Sequence, residues 1–140
     1  MTAHYNPEGH TMPLTADDRL DIQDLYGRYN HAIDFGDAEG WAACFTADGV
    51  FSSAQGSFSG PEQLAAFAKG YADNIKGRHW VSNLVIEADG DGAKAKCYLV
   101  LYRLGGEGGP SILTTGVYND VLVRDGGAWR FKSRTVTADA

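Results

Sequence analysis

Two side chains in this 140-residue sequence could move a proton together, the imidazole of His79 and the carboxylate of Asp34. Imidazole changes charge near neutral pH, so one placed among apolar residues can serve as a general base. His79 lies in RHWVSNLVIE, a run with strand character, and alternation puts Val81, Asn83 and Val85 on its side. The same position also suits a packed histidine with both ring nitrogens satisfied. Asp34 stands between Ile33 and Phe35 in AIDFGD, where a buried carboxylate would need a partner. Strict 100° helical steps place it off the apolar stripe and toward solvent, unless the last turn loosens.

Other polar groups could support such chemistry. Tyr26 and Tyr29 fall on an apolar helical stripe, where each phenol needs a partner once buried. Asn83 is polar within an apolar strand face, so it either lines a pocket or ties down a loop. Arg134 shares strand parity with Arg130 and Lys132, which reads as a solvated face unless a bulge intervenes. Asp120, near Tyr118 and Arg124, reads as half of a surface ion pair. His4, Tyr5 and His10 sit in a polar N-terminal stretch and read as unstructured rather than as a metal site. No GxGxxG after a strand, GxxxxGK[ST], GxSxG or HExxH occurs. The expected chemistry therefore needs no metal and no cofactor.

The elements that must position these groups follow from periodicity. Thr15 with Asp18 three residues later marks a helix start. Ile22, Leu25, Tyr26, Tyr29 and Ile33 continue it toward Gly36. A second helix is expected over 38–45, presenting Trp41 and Phe45. DGVFSSAQGSFSG reads as a hairpin carrying Phe51 and Phe58. Pro61 opens a third helix with Leu64, Phe67, Ala68 and Tyr71 on its buried stripe. Strands follow over 78–87, 93–104, 111–124 and 128–137, separated by glycine clusters that suit tight turns. Helices gathered before a run of strands predict an α+β domain with a curved, mostly antiparallel sheet. Residues 1–14 are expected to form an arm and 15–140 a single domain.

Composition narrows the partners. A net charge of −6 offers no basic face for nucleic acid. No apolar run is long enough to span a bilayer, and the N-terminus lacks the pattern of a signal peptide. Cys44 and Cys97 lack disulfide or metal spacing and suit a reducing cytoplasm. Tyr98, Val100, Tyr102 and Leu104 make the second face of their strand apolar too, which predicts a homodimer or homotrimer through the sheet.

The run DIQDLYGRYNHAIDFGDAEGWAACFTADGVF, with GPEQLAAF, RHWVSNLVIE and GGAWRFKSR, resembles the nuclear transport factor 2-like superfamily. Within it, the likeness is to the SnoaL-like branch of polyketide cyclases, scytalone dehydratase and lindane dehydrochlorinase, and it covers residues 17–137. The resemblance implies a cone-shaped barrel in which curved sheet wraps the first helix around an apolar pocket. It also implies that Asp34 orients His79, that His79 abstracts a proton, and that Arg134 assists a leaving group; Asn83 also fits the branch. The sequence departs in having no second strand histidine, which argues against the scytalone type of dehydration. It ends at Ala140 without a closing tail, so closure is expected from the N-terminal arm or a neighbouring subunit.

The expected function is that of a cofactor-independent lyase or isomerase acting on a small apolar or polycyclic molecule. His79, Asp34 and Arg134 would be catalytic, with Tyr26, Tyr29, Asn83, Trp41 and Phe51 around the substrate. Two other readings stand beside it. One is a non-catalytic binding or assembly module of the same fold; the other is a cyclase-type enzyme with Asp34 as base.

Overall fold

The computed structural model describes residues 13–140, so all but the last two residues of the expected arm lie outside the described residues. Helix α1 (Ala16–Asp34) begins at a reciprocal cap: the Thr15 hydroxyl accepts from the Asp18 N–H, and the Asp18 carboxylate accepts from the Thr15 N–H. Asp18 also accepts from the Arg124 guanidinium at 2.6 Å and from the Trp129 indole N–H at 3.3 Å. One carboxylate thus ties the helix start to two strands.

Burial alone would raise the pKa of Asp18, but these hydrogen bonds outweigh it and hold the group below its ordinary value. A lowered native pKa contributes stability above the unfolded value, and that stability is lost as the pH falls through the native one. Asp18→Asn is therefore expected to cost about 1 kcal/mol near neutral pH. In urea denaturation the gap between variant and parent should narrow as the pH drops through the ordinary aspartate value of 3.8. A gap independent of pH would contradict the assignment.

After α1 the chain forms α2 (Ala38–Ala42), β1 (Phe45–Ser53), β2 (Gly56–Ser59), α3 (Gly60–Asn74), β3 (Gly77–Asp89), β4 (Gly92–Arg103), β5 (Ser111–Asp125) and β6 (Ala128–Ala138). The strands make one curved sheet in the order β2-β1-β6-β5-β4-β3, antiparallel except for the β1–β6 pair. The helices lie against its inner face, as the α+β reading expected. Helix α2 is shorter than predicted. The Cys44 carbonyl accepts from the Phe131 N–H at 2.9 Å, which draws the chain into β1 from Phe45.

Two bulges overturn simple strand parity. In β3 the pairing shifts between Ser82 and Val85, with Asn83 at φ 56. The extra residue turns Leu84 and Ile86 inward and leaves Asn83 and Val85 exposed, so the predicted grouping of His79 with Asn83 and Val85 is wrong. In β6 Phe131 pairs with Leu122 and Ser133 with Val121, leaving Lys132 without an opposite residue. That extra residue turns Arg134 to the same side as Trp129 and Phe131, away from the solvated face of Lys132.

Candidate active site

The end of α1 meets the start of β3. Among the described residues β3 is an edge strand, and N–H groups on its outer side have no neighbouring strand there to receive them. The Asp34 carboxylate takes one of these, accepting from the His79 backbone N–H at 2.9 and 3.2 Å. Its Oδ1 also lies 2.6 Å from Nδ1 of the His79 ring. Asp34 does not point to solvent, contrary to the strict helical wheel. The buried stripe of α1 is wider than its apolar residues indicate, running through buried Asn30 to Asp34.

Just beyond, the helix closes with the Asp37 N–H donating to the Ala32 carbonyl at 2.9 Å, across Gly36 at φ 78. Such a reversal needs the left-handed conformation that glycine adopts without strain. Phe35 faces solvent and carries the Arg78 guanidinium over its ring.

The paired side chains are 9% exposed for His79 and 6% for Asp34. An acceptor fixed at Nδ1 selects the tautomer with its proton on that atom and leaves Nε2 as the nitrogen able to take a proton. The His79 ring lines a cavity of about 430 Å³ between the inner sheet face and the helices. Tyr29, Trp41, Phe51, Phe67, Tyr71 and Tyr118 supply its aromatic wall, and Ser53, Gln55, Thr114 and Thr115 are among its few polar residues. Trp41 packs against Tyr29 and Phe51 with ring centroids 5.4 Å apart in each case, which fixes that wall. The volume and lining suit a small, largely apolar guest. A groove on the outer sheet face, lined by residues such as Lys94, Lys96 and Asn119, contains no histidine.

The cavity thus gathers His79, Tyr29, Trp41 and Phe51 from the expected set, with Asp34 behind His79. Three expected residues lie elsewhere. Asn83 is on the exposed bulge of β3. Tyr26 is buried outside the cavity wall, its hydroxyl donating to Asp120. Arg134 has no exposed surface and does not line the cavity. Its Nε lies 3.0 Å from Asp120 Oδ1 but outside hydrogen-bond alignment, and four aromatic rings surround the guanidinium. Asp120 is accordingly a buried counter-charge, not half of a surface pair, and Arg124 bonds Asp18 instead.

Sequence reasoning missed Tyr71 and Tyr118 as site residues. Its spacing places Tyr71 only on the buried stripe of α3; its ring centroid lies 5.5 Å from that of His79, and its buried hydroxyl has no hydrogen-bond partner among the described residues. Burial, with the charge of Asp34, pushes its phenol well above the ordinary range. The available signal for Tyr118 was its alternation with Asp120 and Leu122, all three of which are buried. Among the described residues, no group of three or more His, Cys, Asp or Glu is placed to hold a metal ion. Among the same residues, no helix is long and apolar enough to cross a membrane.

A curved sheet wrapped over helices around an apolar hollow defines the nuclear transport factor 2-like class of α+β proteins. The chain belongs to the SnoaL-like domain family, which it matches over residues 14–135. No curated protein matches it in sequence. A protein of unknown function from Mycobacterium tuberculosis is 36% identical, with TM-score 0.84, covering 88% of this chain and 72% of that one. An NTF2-like protein with a cystatin-like fold from Novosphingobium aromaticivorans is 25% identical, with TM-score 0.78 and coverage of 87% and 82%. A protein from Catenulispora acidiphila, solved in complex with S-DNPA, is 26% identical, with TM-score 0.81 and coverage of 89% and 96%.

Proposed function

We propose that the protein is a cofactor-independent lyase or isomerase, in which His79 removes a proton from a small apolar or polycyclic molecule held in the cavity. The observation that carries this reading is the 2.6 Å contact between His79 Nδ1 and Asp34, on a ring that lines an apolar hollow. Asp34 orients the imidazole and stabilises the imidazolium that forms, which is the part a carboxylate plays behind a histidine base. The apolar walls give the transfer a setting of low polarity, in which the charge on the imidazolium and its carboxylate partner is felt more strongly than in water. Membership of a family that contains cyclases and isomerases supports the reading, as does the small molecule bound by the Catenulispora relative.

The assignment of Asp34 as the base is disfavoured, because both its oxygens already accept hydrogen bonds from His79. A plain assembly module would be expected to fill its cone with side chains, whereas this one leaves an open volume beside His79. The test uses an enolisable aromatic-fused ketone, 2-tetralone, in deuterated buffer. NMR should show the protein accelerating exchange of hydrogen on the carbon next to the carbonyl, and His79→Ala should abolish the acceleration. Exchange no faster than in buffer, or unchanged in the variant, would overturn the proposal.

Assembly belongs to the same reading. Trp80 and Tyr98 on the outer sheet face are 62% and 52% exposed, and Trp80 packs edge-on against Tyr102. Apolar exposure of this kind supports a homodimer or homotrimer formed through the sheet. Sedimentation should give more than one copy in the parent and a shift toward monomer in Trp80→Lys. A parent that sediments as a monomer would refute it.

A further inference from the structure

Proton removal leaves an electron pair on the guest, and in an apolar hollow that charge needs donors to meet it. Two phenols of the cavity wall stand in front of a sealed cation. The Arg134 guanidinium carbon lies 3.5 Å from the ring centroid of Tyr118 and 4.3 Å from that of Tyr29. Both tyrosines line the cavity that His79 also lines. Tyr26 and Phe131 close the cage at 4.8 and 4.7 Å, and neither belongs to the cavity wall. Arg134 is fully buried and outside that wall, so it reaches a guest only through the two phenols.

The charged and titratable groups around this cage come from every neighbouring element. Asp120 on β5 is the counter-ion, and it also accepts from the Tyr26 hydroxyl of α1. On β4, Cys97 Sγ lies 3.7 Å from Arg134 Nη2. His79 and Asp34 stand at the junction of β3 and α1. Burial, with the neighbouring Tyr29 hydroxyl, pushes the Tyr118 phenol well up, and burial pushes that of Tyr29 to about 12, each against the pull of Arg134. Both therefore stay protonated near neutral pH, and with the Tyr118 hydroxyl turned toward that of Tyr29 the two form a linked pair of donors.

Building on the reading of His79 as base, we infer that Tyr118 and Tyr29, polarised from behind by Arg134, hold the oxygen of the guest on which negative charge develops. The guest is then a molecule whose oxygen becomes enolate-like or phenolate-like as its proton leaves. Tyr118 and Tyr29 touch it; Arg134 is a positioning residue that acts through them.

4-Nitrophenol tests this, because its phenolate is coloured, and 4-nitroanisole serves as an uncharged mimic of its shape. Binding to the parent should favour the phenolate by about tenfold, the effect of one hydrogen bond to a charged acceptor. The preference should persist in His79→Ala. It should be lost in the Tyr29→Phe/Tyr118→Phe double variant, while 4-nitroanisole still binds, which shows the cavity intact. Neutral binding in the parent, a preference surviving in the double variant, or no binding of either compound would overturn the inference. Loss of the preference in His79→Ala would also overturn it, by assigning the charge to the imidazolium. The two readings fail separately: phenolate preference without ketone exchange sinks the base, and exchange without the preference sinks the phenols.

Discussion

His79→Ala should lower the rate of hydrogen exchange on a bound ketone by about 10²–10⁴-fold, the usual contribution of a positioned general base. Asp34→Asn should fall in the same range for a different reason. The carboxylate only accepts, and it accepts from both the His79 backbone N–H and Nδ1. An asparagine amide can take the backbone N–H on its oxygen, but its NH2 then faces Nδ1. That geometry favours the opposite tautomer, with the proton on Nε2, and removes the lone pair that must accept from the guest. The guest should bind Asp34→Asn with little change, because that substitution leaves the cavity lining intact, and His79→Ala removes one lining ring but keeps the aromatic side chains that hold the guest. The signature is thus a collapse in turnover at nearly constant affinity, read by exchange kinetics over a range of ketone concentrations. Full activity in Asp34→Asn would show that the contact with His79 is structural only.

Much of the fold was legible because its signals are local. The Thr15–Asp18 pair marked the start of α1, and in β4 the alternation of Lys94 and Lys96 with Ala95, Cys97, Leu99 and Leu101 marked its inner face. The site was legible only in part, because its geometry depends on events that periodicity averages away. Two single-residue bulges, at Asn83 and at Lys132, reverse which side chains face inward. Parity read from the residues alone therefore put Asn83 inside and Arg134 outside, each the reverse of its place. Asp34 was hidden differently. Its attraction is the free N–H of an edge strand 45 residues away, and helical spacing carries no trace of that partner. Tyr118 and Asp120 were misread because strand alternation shows which residues share a face but not which face is buried. Arg134 needed both the bulge and the facing strand before its cage could be seen.

Removal of the Asp120 carboxylate should have the largest effect on stability. Burial pushes the pKa of Asp120 up despite the pull of Arg134, while Asp120 and the surrounding phenols keep Arg134 charged against its own burial. Attraction thus outweighs burial at Arg134 but not at Asp120, so the pair as a whole gains little over apolar side chains of the same volume. Breaking it is costly. Asp120→Ala leaves a cation without its counter-ion at 0% exposure and should lose about 3–5 kcal/mol in urea denaturation. It also strips the Tyr26 hydroxyl of its acceptor. Replacing both charges, as in Asp120→Leu/Arg134→Met, should recover most of that loss, since apolar side chains of similar volume suit a fully enclosed site. If the pair existed for stability, the double variant would be as unstable as the single one. If it serves the cavity, the double variant should fold nearly as well as the parent and still lose the preference for bound phenolate, because the phenols of Tyr118 and Tyr29 no longer have a cation behind them. Separating the two losses in one protein would place the buried charge among the features kept for function at the expense of stability.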